Sequence, residues 1–386
     1  MAVFRTFVTV AVLAAFFAGM LPAQQKKKPG SDDEGYIPVV APENKSKKDK
    51  DETQSLSPAK ELPSAVLVDT DRLTFGVSPL SAKGLFTPQT RDALKTLLRA
   101  SHGTIVKLRV FVAGSGDLRR VSEMVAEAFT EKHQPLPALS VVQVGGLPLV
   151  GAQVVIESTE TAKRPVNPNG VAFLSGQSAA GVGQSLDQLK SALQKGGMET
   201  DDAMRVTCFV SSLEEQKDAR QRMEATFPSA ALNLVQMQRE AVTPVAECEA
   251  VARMRTAATE PVSFLNPAGL EKSPNYSQMA LVTSPKLVLT GTQLAFGSQE
   301  SDAKLAFDRL QKVLSSMNAR FDGVVMSHVY LTSSAMIAQV RKVRAGYYSG
   351  AHPPASTMLP FEGLPSLDAM FGVDLIAAPD SSSAQR

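Results

Sequence analysis

Ser185–Lys195 reads SLDQLKSALQK, with leucines at 186, 189 and 193. Spacings of three and four are the apolar stripe of a helix lying on a sheet. The stripe recurs as TRDALKTLLRA over Thr90–Ala100 and AFDRLQKVLSS over Ala306–Ser316, with Leu94, Leu189 and Leu310 in equivalent places. The surroundings recur with it. Before each helix, an apolar run ends near a glycine: LTFGVS (Leu73–Ser78), FLSGQS (Phe173–Ser178) and LTGTQL (Leu289–Leu294). After each helix comes a run rich in β-branched and aromatic residues: VKLRVFV (Val106–Val112), MRVTCFV (Met204–Val210) and SHVYLTS (Ser327–Ser333). Such runs predict strands.

Second helices are expected over Asp117–Phe129, Ser212–Phe227 and Ala335–Tyr348, with Asp117 and Ser212 as N-caps of the first two. Extended segments follow as ALSVVQVGGLP, ALNLVQMQRE and ASTMLPFEGLP. Each pass closes on a strand: AQVVIES (Ala152–Ser158), VAECEAVA (Val245–Ala252) or AMFGVDLIA (Ala369–Ala377). One order of elements met three times predicts three copies of one domain. The expected fold class is therefore α+β, each unit a mixed sheet with two helices on one face. A sheet covered on one face must bury the other. Three units in one chain are expected to pack their open faces around a shared centre.

These motifs resemble the RidA family, the YjgF-like imine/enamine deaminases, in older naming endoribonuclease L-PSP. The resemblance is carried by SGQ (Ser175-Gly176-Gln177), PQTRDALKTLL (Pro88–Leu98), VKLRVFV, PALSVVQVGGLP (Pro137–Pro148), PPASTMLPFEGLP (Pro353–Pro365), ECEAVA and Asn275-Tyr276-Ser277. It covers about Ala65 to Ala377. It implies three tandem chorismate-mutase-type domains, at 61–160, 161–258 and 259–379, packed as an intramolecular pseudo-trimer. It also implies ligand clefts between neighbouring units, with Ser175, Gly176, Glu247, Tyr276 and Thr290 as candidate ligand-binding residues.

The resembled family holds a substrate carboxylate with an arginine just after Pro-Ala, and a last-strand glutamate positions the attacking water. The arginine position falls on Leu139, Leu232 and Ser356, none of which can form that bidentate contact. The glutamate position falls on Val155, Glu247 and Gly372, so only the second unit keeps it. Arg205, Arg239 or Arg341 could reach a cleft from elsewhere, although nothing in the sequence places them there. No residue is therefore assigned a catalytic role, and Glu247 is the one family carboxylate retained.

The rest of the sequence narrows the function by exclusion. Of 386 residues, 40 are Lys or Arg and 38 Asp or Glu, a formal charge of +2 that gives no reason to expect nucleic acid. Residues 1–23 read as a secretory signal peptide, with Arg5 before the apolar Phe7–Met20 and Leu21-Pro22-Ala23 at the cleavage position. Residues 24–60 read as a disordered linker and 380–386 as a flexible tail. Export to a periplasmic or extracellular compartment follows, with no membrane span after cleavage and an uncleaved anchor as the alternative. Cys208 and Cys248 lie in strand-like runs and read as buried thiols, with a disulfide as the alternative. His102, His133, His328 and His352 are scattered, so no metal is expected. No cofactor is expected. Gly145-Gly146 and Gly181-Val182-Gly183 read as turns, and Tyr347-Tyr348 as packing.

The function expected is that of a secreted, catalytically degenerate RidA-like protein. It would bind a small molecule or a partner protein in the clefts, as a monomer of pseudo-threefold symmetry. The alternative is an active deaminase of the 2-iminobutanoate type.

Overall fold

The computed structural model describes residues 60–114, 116–239 and 245–380. The expected signal peptide lies outside these residues, as do the linker up to residue 59 and the tail beyond Asp380. The described chain is a mixed α+β fold with three sheets and six helices. It begins with β1 (Ala65–Asp69), β2 (Leu73–Val77), α1 (Phe86–Ala100), β3 (Gly103–Ala113), α2 (Arg120–Glu131), β4 (Ala138–Val144) and β5 (Val154–Ala162). The second pass is β6 (Val171–Ala179), α3 (Val182–Lys195), β7 (Ala203–Val210), α4 (Gln216–Thr226), β8 (Ala231–Gln236) and β9 (Ala246–Arg253). The third opens with four short strands, β10 (Val262–Leu265), β11 (Met279–Val282), β12 (Lys286–Thr290) and β13 (Gln293–Phe296). It ends with α5 (Glu300–Ser316), β14 (Ala319–Leu331), α6 (Ile337–Arg344), β15 (Ala355–Pro360) and β16 (Ala369–Pro379).

Two local expectations need correction. Asp117 and Ser212 are not helix caps. The Arg119 N–H donates to the Asp117 carboxylate at 3.1 Å, and the Glu214 N–H to the Ser212 hydroxyl at 3.2 Å. A short polar side chain that takes the N–H two residues on makes a turn instead of a cap. Accordingly α2 and α4 start later, at Arg120 and Gln216. The first helices start earlier than the leucine stripe. α5, for example, opens on a capping box between Gln299 and Asp302.

Each sheet contains one parallel pair, β3–β4, β7–β8 or β14–β15, and antiparallel pairs otherwise. The strand orders are β2-β5-β3-β4, β10-β11-β6-β9-β7-β8 and β1-β12-β16-β14-β15, with β13 also on β16. The sheets thus exchange strands across the sequence. β1 pairs with β12, and β11 pairs with β6 while carrying β10. Each added strand covers an edge whose backbone N–H and C=O groups would otherwise be unpaired.

Side chains alternate across each strand, and this separates two kinds of core. One face of each sheet packs on its own helices: Leu108, Val110 and Val112 under α1 and α2, Val206 and Val210 under α3 and α4, Val329 and Leu331 under α5 and α6. Cys208 and Cys248 sit on this face of the second sheet, opposite each other on β7 and β9, and form a disulfide. The other faces meet one another. One shared apolar cluster joins Val106, Phe173, Val251, Leu287 and Ile376; another joins Phe111, Phe209, Tyr330 and Phe361.

Candidate functional site

Between the two shared apolar clusters lies a belt of buried charge. Lys107 and Arg109 come from β3, Glu157 from β5, Arg205 and Thr207 from β7, Glu249 from β9, His328 from β14 and Asp374 from β16. Arg109 donates from Nε to Glu157 and from Nη2 to Glu249, both at 2.7 Å. Lys107 Nζ lies 3.0 Å from Asp374 and donates to the Thr290 carbonyl at 2.6 Å. His328 Nδ1 lies 2.9 Å from Asp374. Burial alone would push both carboxyls up. For Glu249 the charge of Arg109 and the adjacent His328 outweigh it, for Asp374 the charge of Lys107 and the same histidine, and both carboxyls stand well below their usual range. The three cations and three carboxylates answer one another across three sheets. This makes the belt a structural tie, and it removes Arg205 from the set that could serve a cleft. His328, which read as one of four scattered histidines, belongs to it.

Glu247 sits two residues before Glu249, on the same face of β9 but at its margin. There it lines a cavity of about 540 Å³ with Gly176, Tyr276, Arg341, Arg344 and Ser356. Among the described residues no hydrogen bond or ion pair holds its carboxyl. Burial, with the Glu249 and Glu271 carboxylates adding, pushes that carboxyl from 4.5 up to about 8. Gly176 lies directly against the Glu247 side chain: a Cβ there would meet its carboxyl, which would have to move aside. The Tyr276 hydroxyl is raised too, by burial first and then by Glu271 and Glu247.

Arg344 is the group that the sequence did not single out. It ends α6, four residues before Tyr348, with 3% of its surface exposed. Its Nη1 donates to the Ser356 hydroxyl at 3.2 Å, and its guanidinium lies 5.0 Å from the centre of the Tyr348 ring. Nε and Nη2 are buried with no hydrogen-bond partner. Burial lowers its pKa, and the neighbouring Arg341 adds to this, but a guanidinium keeps its proton in proteins. Thus a cation with two open N–H donors stands at Ser356, the position where the resemblance puts an arginine on the strand itself. A signal was available. Arg344 occupies a place in the helix's apolar stripe that Val125 and Met223 hold in the other two passes, each four residues before a buried Phe129 or Phe227.

The remaining sequence candidates separate clearly. Gly176, Glu247 and Tyr276 share the cavity. Ser175 is fully buried and already committed: its hydroxyl donates to the Ser277 carbonyl at 2.6 Å and accepts the Ser356 N–H at 2.8 Å. It ties β6 to β15 beneath the cavity. Thr290 lies at a different junction, where its hydroxyl accepts the Leu375 N–H at 2.9 Å. There the Leu139 carbonyl accepts from Thr292 at 3.0 Å, and Gly372 packs against Thr292 and Leu294. Leu232 and Val155 line a separate cavity of about 500 Å³. Arg239 is exposed, 3.6 Å from Glu214, whereas Arg341 does reach the Glu247 cavity.

Residues 270–379 match the family described as Endoribonuclease L-PSP. The RidA resemblance read in the motifs therefore holds over those residues. No curated protein matches the chain. Among solved structures, the chain is similar to a protein of unknown function of the Rid family, YyfB from Yersinia pestis. That match has 20% identity and a TM-score of 0.29, and covers 31% of this chain and 99% of that one. Yeast Mmf1 aligns at 23% identity and a TM-score of 0.23, over 31% of this chain and 98% of its own. A putative endoribonuclease from Thermotoga maritima aligns at 20% identity and a TM-score of 0.23, over 30% of this chain and 93% of its own.

Proposed function

We propose that this is an exported protein of three RidA-like repeats, closed as an intramolecular pseudo-trimer. It binds a small organic carboxylate in the polar cleft between the second and third repeats. The observation that carries the reading is Arg344, a buried guanidinium on the cavity wall with two donors left unpaired. Two parallel N–H donors fit a carboxylate, and a charge-assisted contact of this kind is worth roughly 1.5–3 kcal/mol. Glu247 favours the same ligand. With its pKa near 8 it is largely protonated at neutral pH, so it does not repel an anion and it donates a hydrogen bond to the ligand's far end. The shared apolar clusters and the charge belt support the pseudo-trimer.

The test is calorimetric titration of the mature chain with 2-oxobutanoate and with butan-2-one, which lacks the carboxylate. Saturable binding of the first and none of the second is expected. Equal binding of both, or of neither, overturns the reading. Glu247 favours a second reading, residual imine hydrolysis, because a carboxyl that titrates near neutrality can both give and take a proton. Turnover of 2-iminobutanoate that disappears in Glu247→Ala would establish it. Light scattering of the mature chain is expected to report a monomer; a stable trimer would count against the intramolecular closure.

A further inference from the structure

The geometry points to a second ligand site of opposite chemistry, in the cavity between the first and second repeats. This cavity of about 500 Å³ is built from the same structural positions as the polar one. Val155 stands where the other has Glu247, Leu232 where it has Ser356, and Met223 where it has Arg344. All three polar positions of the carboxylate cleft are aliphatic here. The side chains that replaced them have not closed the space. An apolar space of this size is within the range of small-molecule sites, and it favours an occupant that removes its walls from water.

The charge distribution selects the occupant. The two buried polar side chains lining the cavity each make one hydrogen bond within the protein. The Ser78 hydroxyl accepts the Ile156 N–H at 2.9 Å, and Asn233 donates to Glu157 at 2.7 Å. Among the described residues, the ionised ones lining it are Arg220 and Glu224, an exposed pair 3.9 Å apart whose charges cancel. An anion would meet no committed cation, and a cation no committed carboxylate. Leu80 and Leu149 form apolar lips, with Leu149 39% exposed. The ligand class assigned is therefore an uncharged small molecule with an aromatic or branched aliphatic body, accepting at most one hydrogen bond from Ser78.

The probe is N-phenyl-1-naphthylamine, a neutral dye that fluoresces in apolar surroundings, titrated into the mature chain. Saturable binding of one dye per chain is expected. Leu232→Arg should weaken it at least tenfold while leaving 2-oxobutanoate binding intact, since Leu232 is not in the polar cleft. Leu149→Asp, at an exposed position that folding tolerates, should weaken it severalfold without lowering the melting temperature. This second variant keeps the test decisive if Leu232→Arg fails to fold. Non-saturable dye uptake, full-strength binding in Leu149→Asp, or dimerisation that excludes the dye would each overturn the proposal. Because the polar cleft has its own titration, either site can fail while the other stands.

Discussion

The Glu247 cavity and the Val155 cavity occupy equivalent places in the fold, yet they present opposite chemistry. Each is walled by the end of one repeat's last strand, the second helix of the next, and that repeat's extended strand. Where one has Glu247, Arg344 and Ser356, the other has Val155, Met223 and Leu232. The third junction has Gly372 and Leu139 at the matching strand positions, and there backbone and Thr292 close the contact. Each junction is formed by different residues of one chain, so each carries side chains of its own.

Exchange between the two cavities is the most direct way to break this comparison. Met223→Arg places a guanidinium beside Leu232, with no acceptor corresponding to the Ser356 hydroxyl. An uncompensated buried charge costs ~3–5 kcal/mol, so a large fall in melting temperature is expected, partly recovered by adding Leu232→Ser. A single variant as stable as the parent would show that Ser356 is not what makes Arg344 tolerable. Arg344→Met makes the reverse change. Affinity for 2-oxobutanoate should drop about 10- to 100-fold, in line with the loss of one charge-assisted contact, as read by calorimetry. Unfolding should show the variant to be no less stable than the parent, since a desolvated cation has been removed.

Glu247→Gln sharpens the comparison through pH. A carboxyl raised from 4.5 to about 8 by folding leaves the folded state with its full stability below the unfolded value. That contribution is lost as pH rises through the folded value. The parent should therefore lose stability relative to Glu247→Gln between about pH 5 and pH 8, and match it near pH 4. Parallel melting curves across that range would remove the buried-carboxyl account. The smallest effect is expected from Gly176→Ala, where the methyl group must push the flexible Glu247 carboxyl aside. Here the same pH step should shrink without disappearing, because the carboxyl gains water.

The repeated elements were legible because their causes are local. A leucine stripe of period three to four and alternating β-branched residues specify a helix and a strand wherever they fall. The helix starts were less legible: Asp117 and Ser212 bond two residues ahead instead of capping. Glu247 stood out because Val155 and Gly372 differ from it at the aligned position. Arg344 was hidden because the resemblance points to the strand position of Ser356, and the helix cation that stood out was Arg341, one turn earlier. The presence of Arg344 in an apolar stripe was the visible sign.

By itself the sequence determined the α+β class, the six helices, the two strands that carry the cysteines, and the contrast of Glu247 with Val155 and Gly372. The tertiary structure alone decided which cation would meet that glutamate. Glu247 and Gly176 come from the second repeat, Arg344 and Ser356 from the third, and they share a cavity only because two sheets pack face against face. It also decided that Ser175 would become a tie between strands, and that Lys107, Arg109 and Arg205 would be neutralised by Glu157, Glu249 and Asp374 at the centre. Contacts between repeats depend on how whole sheets dock, and residues about a hundred positions apart carry no local period from which that docking can be read.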